Sequence, residues 1–318
     1  MRNRIVTAVV GVAILCVALA VGGWSALEYL DRSHPTSNTQ VIVPRGATFD
    51  DIATLLEDRG VIGNALAFRV LARVQHSDEN VRAGAYAFSA HATPADVLRQ
   101  LLTGGAQIAT WVTIPEGFTA KQIAQRLAQE GIGPARSFEA AFRGHEGFLF
   151  PSTYLVPLAA TPAQVTHMLI DQFAKELPAD AAARAKALRV SVQQAVTVAS
   201  LVEREAKIDA DRPMIAGVIY NRLRLGMPLQ VDATIEYALP EHKTELSLRD
   251  LRIDSPYNTY LHQGLPPTPI ANPGLPSLVA ALHPAKTDSL YYVYCGSGHH
   301  VFARTLAEHQ ANVARCLK

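Results

Sequence analysis

Two glutamates, Glu203 and Glu205, close the stretch 191–208, SVQQAVTVASLVEREAKI, whose earlier residues carry no charge. The spacing predicts a helix capped by Ser191. Val192, Val196, Ala199, Val202 and Ala206 form one apolar stripe, and Val198, Leu201 and Ile208 another. A helix apolar nearly all round belongs inside a domain, and burial against it would raise the pKa of a carboxyl. A carboxylic acid still protonated near neutral pH can donate a proton to a leaving oxygen. The alternative is a pair of ionised glutamates at an exposed helix end, partnered by Arg204, Lys207 or Arg212. Helical spacing does not choose between the two glutamates either. Glu203 continues the stripe of Val196 and Ala199, and Glu205 that of Val198 and Leu201.

Downstream, a second helix with Pro213 near its start and Gly226 near its stop leads into a loop-rich region. Asn221, Gln230, Asp232 and Thr234 bunch there with Tyr237. These are the amide, carboxylate, hydroxyl and aromatic groups that orient sugars. Residues 255–284 hold seven of the 19 prolines, which suits a rigid cleft wall and equally any ordered surface loop. Phe148, Phe150, Pro151 and Tyr154 could line a groove but read first as a buried corner, within a stretch from 133 to 190 that is spacer or support. The tail 290–303 reads as a hairpin around Gly296-Ser297-Gly298, followed by a final helix. His299 and His300 point to opposite faces of their strand, with no third ligand apparent, so no metal site is expected. No G-x-S-x-G elbow, Walker loop, dinucleotide glycine motif or H-E-x-x-H occurs.

The elements that must position these groups belong to a chain of 318 residues, 49% hydrophobic and 18% charged, enough for a well-buried core in two or three modest domains. Lys+Arg 29 against Asp+Glu 28 leaves +1, with no basic stripe, so no nucleic-acid partner is expected. Residues 5–24 form an uncharged apolar run of the length that spans a bilayer. Arg2 and Arg4 precede it and the next basic residue is Arg32, which orients the rest outward. A cleaved signal peptide, with Ala18-Leu19-Ala20 as its site, is the competing reading, and either exports the folded part. Cys295 and Cys316 then lie where a disulfide can form, but two separate buried thiols fit the sequence equally.

Residues 31–40 form a polar linker, and folded structure begins near Val41. Residues 41–61 repeat at 112–132 with eight identities in 21 positions. Each copy reads as a strand, a Pro-x-Gly turn and a helix opened by a capping box, Thr48 with Asp51 and Thr119 with Gln122. The strand, P-x-G-x-T turn and I-A-x-x-L helix of 41–62 resemble the LysM module, which binds the N-acetylhexosamine backbone of peptidoglycan and chitin. A plain structural α+β module stays open as the alternative.

Assembled, the motifs P-E-G-x-T (115–119), E-G-F-L-F-P-x-T-Y (146–154), A-S-L-V-E-R-E-A (199–206), N-R-L (221–223), L-Q-x-D-x-T (229–234), S-P-Y-N-T-Y (255–260), G-L-P-P-x-P-I-x-N-P-G (264–274), H-P-A (283–285) and H-x-F (300–302) resemble the MltG (YceG-like) family of membrane-anchored endolytic murein transglycosylases. Ser152 and Thr268 stand where that pattern has Asp and Gly. The resemblance implies cleavage of the β-1,4 bond between N-acetylmuramic acid and N-acetylglucosamine within nascent peptidoglycan strands, leaving 1,6-anhydro ends and terminating elongation. It makes Glu203 the catalytic residue, with Glu205, Asn221, Gln230, Asp232, Tyr257, Asn258, Thr259 and Tyr260 in the substrate cleft. No cofactor is implied. The substrate partner is the peptidoglycan strand, the protein partners are peptidoglycan polymerases, and the location is the inner membrane with the catalytic part facing the periplasm or exterior. A non-catalytic, membrane-tethered wall-binding scaffold is the rival. An aminodeoxychorismate lyase is disfavoured, because export and the lack of a phosphate cup argue against pyridoxal phosphate. The expected fold class is α+β: stub and transmembrane helix (1–30), linker (31–40), LysM-like module (41–105) and a larger mixed α+β catalytic domain (106–318).

Overall fold

A computed structural model of the chain describes residues 17, 21, 38–44, 46–77, 81–104, 108–241, 243, 246–296 and 298–316. Among these, no helix is long and apolar enough to cross a membrane. The apolar run 5–24, apart from Val17 and Val21, and the linker up to residue 37 lie outside the described residues. The fold is mixed α+β, with many helices and, among the described residues, three two-stranded sheets, and it divides into two compact units.

The first unit takes the described residues up to 110 together with 157–159. Strand β1 (Thr39–Val43) leads to α1 (Phe49–Asp58), α2 (Ala65–Val74), β2 (Gly84–Phe88) and α3 (Pro94–Thr103). Helix α1 starts where the sequence predicts, because the Thr48 hydroxyl accepts the Asp51 N–H while the Asp51 carboxylate accepts the Thr48 N–H. β1 and β2 pair antiparallel with Val41 opposite Tyr86. Alternate residues turn inward, and Val41, Val43, Tyr86 and Phe88 meet Leu56, Phe68 and Leu98 in one buried cluster.

The second unit takes 111–156 and 160–318. Strand β3 (Ala109–Thr113), which begins just before this unit, is followed by α4 (Ala120–Gln129), α5 (Ala135–Ala141) and β4 (Thr153–Pro157), the partner of β3. This β-α-α-β order is that of β1, α1, α2 and β2, so the duplication extends beyond the 21 matched positions. Residues 135–157 are therefore not spacer: they complete the second copy, with Phe138, Phe142, Leu149 and Val156 buried. Their divergence in sequence hid them, because a short helix and strand need only a few apolar positions to be kept.

Helices α6 (Pro162–Glu176) and α7 (Ala181–Ala187) lead to α8 (Val192–Glu205), capped by Ser191 as expected. Ala195 to Val202 are all buried, so α8 is enclosed on every side. It packs against α9 (Arg212–Arg224), α10 (Asp232–Ala238) and α11 (Leu275–Leu282). Val198, Leu201, Ile215, Ile219, Ile270 and Leu278 join in one core. Gly217 lets α9 approach the following chain, since a Cβ there would stand 2.6 Å from the Ala285 carbonyl oxygen. The chain ends in the hairpin β5 (Tyr291–Cys295) and β6 (His299–Ala303), with Val293 opposite Val301, and helix α12 (Leu306–Cys316).

The structure decides the open question of the cysteines. Cys295 and Cys316 form a disulfide, with Cα atoms 4.6 Å apart, that ties the end of β5 to the end of α12. Helix α12 has no fully buried residue, and the covalent link adds to its packing on the hairpin, where His309 stacks on Tyr291. Replacing both cysteines by serine should lower stability by about 2–4 kcal/mol, since the bridge closes a loop across 21 positions. Thermal unfolding with and without reductant checks this: the unaltered protein should move towards the variant on reduction, and the variant should not move.

Candidate active site

Glu203 and Glu205 leave the last turn of α8 on different flanks, as positions two apart on a helix must. Glu203 is held by its neighbours. Its side chain is 6% exposed, lies 3.3 Å from Nη1 of Arg212, and its Oε2 accepts the N–H of Gly274 at 3.0 Å. Gly274 is the residue before α11, so the carboxylate also meets the partially positive end of that helix. Arg212 is fixed in turn by Asp209 at 2.9 Å and by the Ser277 hydroxyl. A Cβ on Gly274 would fall 1.9 Å from Oε1 of Glu116, so any larger residue there would displace the Glu116 carboxyl. Burial and the negative charge of Glu203 raise the pKa of Glu116, against the pull of Arg212.

Glu205 faces a cleft of about 320 Å³ that it lines with Lys207, Asp232, Tyr292, Tyr294 and His300. Burial pushes its pKa up to about 7. The Tyr292 hydroxyl donates to it and opposes the rise, while the neighbouring charge of Asp232 adds to it. Burial and Glu205 together drive the Tyr292 phenol well above its ordinary range, so it stays a donor. The Tyr260 hydroxyl donates to Oδ1 of Asp232. His300 is fixed behind the cleft, its backbone N–H 2.7 Å and its Nδ1 2.9 Å from Oδ2 of Asp211. Among the described residues, no group of three or more His, Cys, Asp or Glu side chains is arranged to hold a metal ion.

A wider groove of about 660 Å³ adjoins this cleft and shares with it Arg204, Ala233 and Glu236. Arg204 and Glu236 form an ion pair at 2.8 Å along the common wall. The groove is bounded by Glu146, whose carboxyl receives the N–H of Ala120, the first residue of α4, at 3.0 and 3.1 Å. It also receives Nδ2 of Asn272 at 2.8 Å and the Tyr237 hydroxyl at 3.3 Å. Burial nevertheless pushes the Glu146 carboxyl up to about 7, outweighing those donors. Asn272, fully buried, staples three segments: its Oδ1 accepts the N–H groups of Gly147 and Leu149, its backbone oxygen that of Gly117, and its Nδ2 reaches the Phe118 carbonyl.

Of the residues expected in a substrate cleft, the structure brings together Glu205, Asp232 and Tyr260. Tyr257 packs on Tyr237 with ring centres 4.9 Å apart, and its hydroxyl lies 2.8 Å from that of Thr268, one of the two departures from the family pattern. Gln230 is exposed, and its N–H donates to the Thr259 carbonyl. Asn221, Asn258 and Thr259 are buried in the framework. Asn221 donates to the carbonyls of Thr287 and Ser289, Asn258 to those of Leu251 and Ile253, and the Thr259 hydroxyl accepts the Val231 N–H. Sequence reasoning passed over Glu116, Glu146 and Tyr292. The two glutamates stand directly before a glycine, in P-E-G and E-G-F, which was a usable signal, whereas nothing distinguished Tyr292 from its strand neighbours.

Fold and site together define a class: a mixed α+β protein whose largest helical core carries carboxyls into a polar cleft. The chain belongs to the YceG-like family, whose model matches residues 41–315. A protein of Bacillus subtilis named endolytic murein transglycosylase is 33% identical, over 90% of this chain and 87% of its own. One of Streptococcus pneumoniae with the same name is 30% identical over 96% of this chain, which spans 64% of that longer relative. A crystal structure of a YceG-like protein from Listeria monocytogenes, 32% identical, covers 86% of this chain and 98% of its own with a TM-score of 0.57.

The displaced pKa of Glu205 has a consequence for stability. With a folded value of about 7 against an ordinary 4.5, the native state binds more protons than the unfolded state between those limits, so this group lowers stability as pH rises through that window. Glu205→Gln should therefore gain on the unaltered protein between pH 5 and 8, by on the order of 2 kcal/mol. Urea unfolding at the two pH values measures the gain, and a difference independent of pH would contradict the assignment.

Proposed function

We propose that the chain is an endolytic murein transglycosylase, cutting within peptidoglycan strands as its relatives are named for doing. What carries the reading onto this structure is the polar cleft at the end of α8, walled by Glu205, whose carboxyl burial pushes up to about 7. It supports Glu205 as the acid. Glu203, which the family resemblance makes the catalytic residue, is engaged by Arg212 and Gly274, and the activities of the two Gln variants decide between the glutamates.

In the proposed reaction Glu205 gives its proton to the glycosidic oxygen as the bond from C1 of N-acetylmuramic acid to that oxygen breaks. The resulting carboxylate takes the proton of the muramoyl C6 hydroxyl, whose oxygen bonds to C1 and closes the 1,6-anhydro ring. Proton and bonds balance without water, so no second carboxylate is needed to activate a nucleophile. The Tyr292 hydroxyl can hold the ionised form between the two transfers. Asp232, Gln230, Tyr257 and Tyr260 would contact the sugar, while Asn221, Asn258 and Thr259 hold the loops that carry them. The apolar run 5–24 would anchor the protein, with its folded units facing out. There the LysM-like first unit would hold the strand, beside the polymerases whose product is being ended.

Uncross-linked glycan strands incubated with the full chain should yield anhydro ends by mass spectrometry. Glu205→Gln should lower their formation about 100-fold or more. Glu203→Gln should lose less activity but also melt earlier, because it leaves the buried Arg212 with a weaker partner. The rate should fall as pH rises through about 7, as the acid form of Glu205 is lost. A Glu205→Gln protein as active as the unaltered one, with Glu203→Gln inert and folded, would return the acid to Glu203.

A further inference from the structure

We infer that His300, aimed by Asp211, is a positioning residue for the reaction: its ring props the Tyr292 ring so that the phenol stays on the Glu205 carboxyl. The inference deepens the transglycosylase reading and rests on it, with Glu205 as the acid, for its effect on rate. In the hairpin of β5 and β6, Tyr294 stands opposite His300 and Tyr292 opposite Phe302. Residues two apart share a face of a strand, so these four rings line one side of the hairpin. The His300 ring meets both tyrosines edge to face, with centres 5.6 Å from Tyr292 at 83° and 5.5 Å from Tyr294 at 62°. Phe302 flanks Tyr292 at 6.3 Å.

A leucine at position 300 would fill much of the same space, but it would not hold Asp211. Oδ2 of that carboxylate accepts the backbone N–H of His300 at 2.7 Å and lies 2.9 Å from Nδ1, so Nδ1 carries a proton. Both side chains are nearly closed to solvent, 4% exposed for His300 and 11% for Asp211, and two bonds to one residue fix the direction of the ring. Asp211 ends the short turn Asp209–Asp211 and is followed by Arg212, the partner of Glu203. Two consecutive residues thus reach the two glutamates of α8, Arg212 directly and Asp211 through His300 and Tyr292. The Tyr292 hydroxyl donates to Glu205, and the charges of Lys207, Asp232, Glu236 and Arg222 also act on that carboxyl. A hydrogen bond weakens steeply with angle, whereas the pull of a charge changes slowly with distance. A small turn of the Tyr292 ring therefore forfeits the bond and leaves the other influences nearly as they were.

The test follows two readouts on the full chain: the Glu205 resonance in protein labelled at glutamate side-chain carboxyls, and the formation of anhydro ends across pH. His300→Asn keeps a donor for Asp211 and removes the ring. Glu205 should then titrate about half a pH unit higher, because its carboxylate loses the phenol. Anhydro-end formation in the acid range should fall about tenfold, and its decline with pH should move upward with the titration. In a Tyr292→Phe background, where no phenol is left to aim, His300→Asn should change neither readout further. If His300→Asn melts early, His300→Gln, which fills more of the space of the ring, decides. A Glu205 titration unchanged in the folded variant, or a change of equal size with and without the Tyr292 hydroxyl, overturns the inference. The parent reading fails differently. A protein that forms no anhydro ends, or whose Glu205→Gln variant forms them at full rate, removes the activity or the acid, while the resonance still judges the link from His300 to Glu205.

Discussion

Enclosure of α8 on every side is the constraint from which the site follows. Eight consecutive residues of that helix are buried, so its last turn delivers two carboxyls into surroundings poor in water. Each then needs a partner or a proton. Glu203 finds a guanidinium and a helix N-terminus. Glu205 finds burial and a second carboxyl, which favour a retained proton against the opposing hydrogen bond from the Tyr292 phenol. Two residues of like chemistry, two positions apart, thus acquire different surroundings from what other elements bring to them.

The same economy governs the approach to the cleft. Asn272 joins the turn before α4, the segment beginning at Gly147 and the loop leading to Gly274, using both ends of its amide and its backbone. Gly274 carries the N–H that meets Glu203, so the framework that shapes the groove also fixes the end of α8. Glu146 closes that network from the groove side at a cost in desolvation, visible in its raised pKa. A buried polar network of this kind is tolerated because nearly every member has its partner.

What was legible in the sequence was local. The capping boxes at Thr48 and Thr119, the cap at Ser191, the enclosed helix and the closing hairpin depend on residues within a few positions of one another, and each formed as expected. The second copy beyond 132 was not legible, because its helix and strand kept apolar positions but not identities. Roles within the site were least legible. The difference between Glu203 and Glu205 is made by Arg212, Gly274, Asp232 and Tyr292, none closer than nine positions to Glu203. Asn221, Asn258 and Thr259 have the polar character of sugar-binding groups, yet their partners are backbone groups far along the chain, which no spacing rule reveals.

The central claim, that Glu205 keeps its proton near neutral pH, is tested most directly by carbon NMR of the full chain labelled at glutamate side-chain carboxyls and titrated from pH 4 to 9. A resonance titrating near 7 that vanishes in Glu205→Gln, distinct from a second one removed by Glu146→Gln, is the predicted result. A Glu205 resonance titrating near 4.5 would mean that the group is already ionised at working pH, and the account of this site as an acid would be wrong.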